Sequence, residues 1–404
     1  MGGGGLDCEV AVAGGGPVAL TLALLLARAG VSVNVYEAEP GPGEDLRAST
    51  FHPPTLDMLD RLGLGAELVS QGLVCPHWQV RSHPSGDRAV FDLSVIAGET
   101  AHPYRLQCEQ WKLSRLLLRE LGAEPRARVV FGARACALAQ EEDRAILGLE
   151  KAEGGDREEA RALFVVGADG ARSLVRKALD LPFEGLTYPE TTLLATTTFP
   201  FEEHLEGLSN VTYCWKKDGN FALLKVPGRW RVSIYPREDV SIEDQMRPEA
   251  IDAALQDIVP RDGPYEVMEM RPYRVHQRIV PKYRSGRAVL AGDAAHVNSP
   301  SGGMGLNGGI HDAFALAEAL IDILRKGAPL ERLDLYERQR RPVAADQILA
   351  QADRNRARMR ERDPAQRAEI LADLKAITRD PERLKNHLLR SSMIEGLRIA
   401  ANVT

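Results

Sequence analysis

Residues 287–313 bring a carboxylate, a proline and a series of glycines together at the end of an apolar run, a combination suited to holding a nucleotide-like ligand. The run Ala288 to Ala291 reads as a buried strand. It stops at Gly292-Asp293, so the carboxylate stands where the chain leaves a sheet. A loop with Pro300, Gly302, Gly303, Gly305 and Gly308 follows, then a helical pattern from Ile310 to Ile323. Glycines leading into a helix let backbone N–H groups approach a ligand closely, with the positive end of the helix dipole behind them. Such a site suits a flavin, with Asp293 accepting from the ribityl chain and the helix start under the electron-poor end of the ring. Taken alone, the stretch would also serve as an ordinary strand, turn and capped helix.

Two further stretches repeat the form. Cys8 to Ala13 is a short apolar strand, followed by Gly14-Gly15-Gly16-Pro17-Val18-Ala19, a Leu-rich helix closed by Gly30, and a second strand, Val31 to Tyr36, ending on Glu37. This is a G-x-G-x-x-A dinucleotide fingerprint in its setting of strand, turn, helix, strand and acid. Gly14 allows the turn, and Gly16 lets a pyrophosphate reach the helix N-terminus at Pro17 and Val18. Ala19 permits close helix–strand packing, and Glu37 is placed to accept from a ribose. The third stretch runs from apolar Leu163–Val166 through Gly167-Ala168-Asp169-Gly170 to Arg172-Ser173 and a helix from Leu174. Asp169 or Ser173 could be a plain N-cap. As a second acid at a strand exit in a chain with a dinucleotide fingerprint, Asp169 reads as a cofactor contact. Arg47 could hold a pyrophosphate bidentately or sit on the surface.

The elements that must position these residues are bounded by composition. A chain of 404 residues suggests two domains or one large interleaved pair. A 44% apolar and 27% charged composition is that of a soluble globular protein. The net charge of −6 argues for neither nucleic acid nor an anionic membrane as partner. No apolar run reaches the ~18 residues of a spanning helix, and the start has neither a signal-peptide nor an acylation pattern. Five scattered cysteines without a C-x-x-C fit reduced thiols in a cytoplasm and no structural metal. The periodicities predict an α/β, Rossmann-like nucleotide-binding domain in three pieces, residues 1–72, 101–181 and 284–345. Residues 73–100 and 182–283 form an inserted antiparallel sheet, and 346–404 are helical. The Asp363-Pro364 and Asp380-Pro381 steps mark fresh helix starts, and the dense charges of 353–385 are expected on a solvated helical face.

Taken together, the stretches resemble the single-component flavoprotein hydroxylases of the para-hydroxybenzoate hydroxylase type, from Cys8 to about Pro342. Three motifs carry the likeness, in the family's order. They are Gly14-x-Gly16-x-x-Ala19 with Glu37, Asp169-Gly170 continuing to Arg176, and Gly292-Asp293-Ala-Ala-His296 running on to Pro300 and Gly305-Leu306-Asn307. Arg47 and Gln110 fall where the family's FAD-contacting Arg and Gln stand. The resemblance implies FAD as cofactor, with Asp169 at the region shared by FAD and the nicotinamide nucleotide and Asp293 on the ribityl chain. It also implies the Pro300 carbonyl near the reactive flavin carbon and the Leu306 and Asn307 amides at the ring's pyrimidine edge. The implied reaction is hydroxylation of a small aromatic molecule with NAD(P)H as transient co-substrate and O2, through a flavin C4a-hydroperoxide. With 404 residues, the thioredoxin-like C-terminal extension of the phenol hydroxylase branch is not expected. His77 lies near, but not on, the family's proton-relay histidine and is taken as structural.

The substrate is expected between the inserted sheet and the flavin. Tyr213, Trp215, Phe221, Leu223, Arg231, Ser233 and Tyr235 are candidates, of which period-2 alternation lets about half face inward. Rival activities on the same fold are an epoxidase, an FAD-dependent reductase, or a binding protein without flavin chemistry. A homodimer stays open.

Overall fold

The computed structural model describes residues 5–44, 48–151, 157–237 and 240–404. Its first sheet has five parallel strands in the order Ala127–Val130, Val33–Tyr36, Cys8–Ala13, Arg157–Gly167 and Ala288–Leu290, with Arg284–Ser285 antiparallel at the edge. Cys8–Ala13 lies in the interior of this sheet and is buried almost throughout, which is why it is an apolar run and not an alternating one. Ala13 pairs with Gly167, and Gly167 with Leu290. Three strands therefore end level, and the three glycine–acid loops leave from one end of the sheet. Ligands of open α/β sheets bind at that end.

Two glycines at this end are required by close approach. Gly14 has φ +98°, and a Cβ there would stand 2.4 Å from the Ala168 carbonyl oxygen. A Cβ on Gly309 would stand 2.6 Å from Val18 Cγ2, because the Pro17–Arg28 and Gly305–Lys326 helices pack directly on each other.

The second sheet orders His296–Val297, Val267–Ile279, Glu184–Thr197, Arg229–Ile234, Gly219–Val226, Val211–Lys216, His77–Ser82 and Arg88–Asp92. It is antiparallel as expected except where Val211–Lys216 and His77–Ser82 run parallel, since these strands come from separate excursions of the chain. One face buries Phe201, Phe221, Leu223, Trp230 and Val232 against the Pro248–Gln256 helix. The other buries Trp78, Phe91 and Trp215 against the C-terminal helices through Met359, Leu371 and Leu374. Those helices start as the sequence suggests, Asp363 accepting from the Ala365 N–H at 2.8 Å and Asp380 from Glu382 and Arg383 at 3.0 and 3.1 Å. The expectation of a solvated face over 353–385 is corrected in part. Met359, Leu371, Leu374 and Leu384 are buried, so this charged segment covers the second sheet with an apolar stripe.

Asp312, on the Gly305–Lys326 helix, ties the pieces together from below the loops. Fully buried, it accepts from Arg340 Nε at 2.7 Å, from the Gly292 N–H at 3.1 Å, and pairs with His296 Nε2 at 2.7 Å. Burial pushes its carboxyl up, but His296 and Arg340 outweigh this and hold it at about 2. Removing one partner of a buried ion pair strands the other, so Asp312→Ala should lower stability by about 3–5 kcal/mol in urea unfolding. The depressed carboxyl stabilises the fold above its ordinary 3.8, and this contribution is lost as pH falls toward 2. The variant's stability should therefore vary less with pH across that window, and an equal pH dependence would rule out the ionised pair.

Candidate active site

At the first loop, Gly16 is the N-cap of the Pro17–Arg28 helix, with no capping side chain and no atom within 4 Å of where its Cβ would lie. The Pro17 ring occupies the first helical position, where an N–H is dispensable. Ala19 is buried, and Val18 packs against Gly292 and Gly309. The half-buried Glu37 accepts from the Gly15 and Glu39 N–H groups through its two oxygens, at 2.5 and 2.9 Å, which holds the carboxylate over the glycine turn.

Asp169 caps a helix and keeps one oxygen open, so its two readings are compatible. One oxygen accepts from the Leu174 and Val175 N–H groups at 2.7 and 3.2 Å, capping the short Leu174–Ala178 helix together with Ser173. The other oxygen is buried and has no partner among the described residues, an acceptor left for a ligand hydroxyl. On the neighbouring strand exit, Gly292 is left-handed at φ +60° and Asp293 is exposed on the rim. Gln110 starts the Gln110–Ala123 helix, half-buried, its N–H donating to the Ala48 carbonyl at 3.0 Å. Arg47 lies outside the described residues.

The loop from Pro300 is held by the side chain of Asn307. Fully buried, it accepts from the His52 N–H at 2.8 Å and donates to the Thr50 and Gly303 carbonyls at 2.8 and 2.7 Å. His52 Nε2 donates to the Gly302 carbonyl at 2.8 Å, and burial, helped by the Arg105 charge, pushes this imidazole down to about 3, so it is neutral. The exposed Pro300 accepts from the Gly303 N–H at 2.9 Å. Met304, the N-cap of the long helix, supplies no capping hydrogen bond. The first-turn amides of Gly305, Leu306 and Asn307 therefore have no helical acceptors. The orphaned Asp169 oxygen, the open Gly16 and the uncapped helix start, all at one sheet end, fit a dinucleotide with a charged ring.

Opposite this rim lies the inner face of the second sheet. Tyr213, Ala222, Ser233 and Leu194 form one cross-strand row. Arg231, two residues from Ser233, shares that face and donates to Ser49 Oγ at 2.8 Å. Tyr235 follows the strand, half-buried. Phe221 and Leu223 lie in the core on the opposite face, so the substrate role expected of them is withdrawn; the pleat turns them away. Trp215 is buried under the Ala350–Arg360 helix, with Nε1 donating to the Arg358 carbonyl at 3.1 Å. His77 is exposed, 3.6 Å from Asp92.

A pocket opens between this face and the Gly-rich loop. Ser301 and Gly302 form one wall, Trp78, Val80 and Tyr213 another, and Arg105, Arg358, Met359 and His387 close it. Arg105, Arg358 and His387 were not anticipated. The helical set Asn355, Arg358 and Met359 has the i, i+3, i+4 spacing that marks one face, a signal present in the sequence but masked by its surrounding charges. Away from the site, Asp57, Asp60 and His102 converge, with His102 Nε2 2.6 Å from Asp60 and Asp57 accepting from Thr100 Oγ1 at 2.7 Å.

A parallel sheet with three glycine–acid loops at one end, covered by a second sheet with a pocket between them, is the architecture of an FAD-dependent aromatic-ring monooxygenase. The family model described as FAD binding domain matches residues 7–352, and the chain belongs to that family. Para-nitrophenol 4-monooxygenase of Pseudomonas sp. (strain WBC-3) is 36% identical over 96% of each chain. The 6-hydroxy-3-succinoylpyridine 3-monooxygenase of Pseudomonas putida (strain DSM 28022 / S16) is 33% identical over 94% of this chain and 96% of its own. The crystal structure of p-nitrophenol 4-monooxygenase from Pseudomonas putida DLL-E4 superposes with a TM-score of 0.89 at 34% identity, covering 96% of this chain and 98% of that one. The protein is a flavoprotein monooxygenase that binds FAD.

Hydrogen bonds to a charged group are worth about 1.5–3 kcal/mol, so Asp293→Ala should weaken FAD binding by roughly 10- to 100-fold. Titrating FAD into the apo variant checks this. Unchanged affinity would remove Asp293 from the flavin site.

Proposed function

We propose that this protein hydroxylates a single-ring phenolic or heteroaromatic molecule, using NAD(P)H as transient reductant and O2 as oxygen source. The observation that carries this reading is the pocket between the Ser301-Gly302 wall and the Tyr213 face, close in the chain to the helix start we assign to the flavin. The names of the two curated relatives, one acting on a nitrophenol and one on a hydroxypyridine, support a small ring of this kind.

The bound flavin would supply electron transfer from NAD(P)H and activation of O2. The chain holds and surrounds it. The Gly14–Ala19 turn and helix start take the pyrophosphate, Glu37 the ribose, Asp169 the adjoining phosphate–sugar region, and Asp293 the ribityl hydroxyls. The Leu306 and Asn307 amides would hold the pyrimidine edge of the ring and favour negative charge there. The dipole of the Gly305–Lys326 helix adds about 0.3–2 kcal/mol in favour of that charge. Trp78, Val80 and Met359 keep water from the reacting ring. Among the described residues no helix is long and apolar enough to cross a membrane. Five free cysteines, four of them buried, support a reducing compartment such as the cytoplasm.

With FAD-loaded protein, NAD(P)H oxidation should rise about tenfold or more on adding the right phenol, since ring binding completes the site. It should consume O2 and yield a product one oxygen atom heavier. Equal rates without O2, with electrons passing to a second acceptor, would establish a reductase instead.

A further inference from the structure

We propose that His52 is a positioning residue for the flavin. By donating to the Gly302 carbonyl it fixes the peptide between two left-handed glycines with its oxygen held by the protein, so that the loop offers the reduced ring amide donors. This goes beyond the hydroxylase reading and rests on its assignment of the Gly-rich loop to the flavin.

Five successive carbonyl oxygens, Pro300 to Met304, accept from the protein. Pro300 takes the Gly303 N–H at 2.9 Å, Ser301 takes Asn355 Nδ2 at 3.4 Å and Gly302 takes His52 Nε2 at 2.8 Å. Gly303 takes Asn307 Nδ2 at 2.7 Å, and Met304 takes the Gly308 N–H at 2.8 Å. A free carbonyl beside a ring that gains negative charge would repel it, whereas the helix start, whose first amides have no helical acceptor, attracts it. The weak point is the peptide joining Gly302 to Gly303. These residues have φ +101° and +67°, and glycine on both sides leaves the peptide plane little preference for one direction. Its N–H is held by Pro300 within the same turn, and its carbonyl by His52, 250 residues away in sequence. Among the described residues, His52 is the one donor from outside this loop and its helix that reaches these carbonyls at less than 3.0 Å.

His52 is built to give this bond without bringing a charge. It is fully buried, and its own N–H donates to Asn307 Oδ1 at 2.8 Å. Its carbonyl accepts from the Thr55 and Leu56 N–H groups at 3.1 and 3.2 Å, at the start of the Pro53–Asp60 helix. A residue before proline is confined to extended backbone, and His52 has φ −88° and ψ 156°, so the backbone carrying the ring is itself fixed. The side chain does not cap that helix; it reaches past it to the loop. A carbonyl can only accept, so Nε2 carries the proton, and the bare Nδ1 is buried with no partner among the described residues. Burial, helped by the Arg105 charge, keeps the imidazole at about 3, so near pH 7 it is a neutral donor. Packing alone would need neither that proton nor the Gly302 contact.

The test is the midpoint potential of the bound FAD, read by slow reduction alongside a reference dye, in the wild type, His52→Leu and His52→Gln. Leucine has no donor, and glutamine keeps an N–H donor of similar reach. His52→Leu should hold reduced FAD about tenfold less tightly relative to oxidised FAD, a potential lower by ~30 mV for a two-electron couple. His52→Gln should recover most of that shift, and both variants should bind oxidised FAD nearly as the wild type does. If His52→Leu does not fold, His52→Asn, polar but too short to reach the Gly302 carbonyl, carries the test. Overturning results are an unchanged potential in the folded variants, or a drop in His52→Gln as large as in the variant without the donor. A purely structural role would weaken both redox states alike and leave their ratio where it was. A wild-type protein that takes up no FAD would sink the flavin reading as well, whereas full FAD content with equal potentials would sink this assignment alone.

Discussion

The register of one parallel ladder governs this molecule. With Ala13 opposite Gly167 and Gly167 opposite Leu290, three strands distant in sequence run out at the same level. Parallel strands all point one way, so their following loops must gather at one end, and each loop here carries glycine and an acid. Shifting one strand by a residue would turn its buried side chains to the other face and move its loop off the shared rim. Close approach at the strand ends resists that slip: a Cβ at Gly14 would stand 2.4 Å from the Ala168 carbonyl oxygen and one at Gly167 2.7 Å from Val175 Cβ, so the register must bring a glycine to both places.

The rim is then made rigid by polar contacts that span large sequence distances. Asp312 holds the Gly292 N–H, His296 and Arg340 in one buried knot, so the Gly292-Asp293 turn, the start of the second sheet and the following helix cannot move separately. Asn307 acts likewise in the layer above, pinning Thr50, His52 and Gly303 around the uncapped helix start. The sheet that covers the rim is anchored by His296–Val297, only three residues beyond Asp293. The loop proposed to face the cofactor and the sheet proposed to face the substrate are therefore a continuous piece of chain, which would keep a flavin ring and its substrate in fixed relation.

What could be read from the sequence was whatever depends on neighbours in the chain. The strand–glycine–helix units around Gly14, Asp169 and Asp293 were legible because each is local and its acid must follow the strand it closes. The same holds for the Asp363 and Asp380 helix starts. Asp169 shows the limit of that logic: capping and ligand binding looked like alternatives, yet one oxygen caps and the other is left open. Which face of a strand meets the cleft was not legible. Phe221 and Ser233 sit on alternating, equally buried positions, and only the packing of the Pro248–Gln256 helix on one side decides between them. Least legible was the pocket's positive end, since Arg105 and Arg358 are far apart in sequence and one of them hides in a run dense with exposed charge.

The most direct test of this account is a crystal structure of the protein grown with FAD. It should place the pyrophosphate on the Gly14–Val18 turn, the ribityl chain at Asp293 and the pyrimidine edge of the ring at the Leu306 and Asn307 amides, with the ring's open face toward Tyr213. A flavin seated elsewhere, or strand ends that no longer lie level when it is bound, would contradict it.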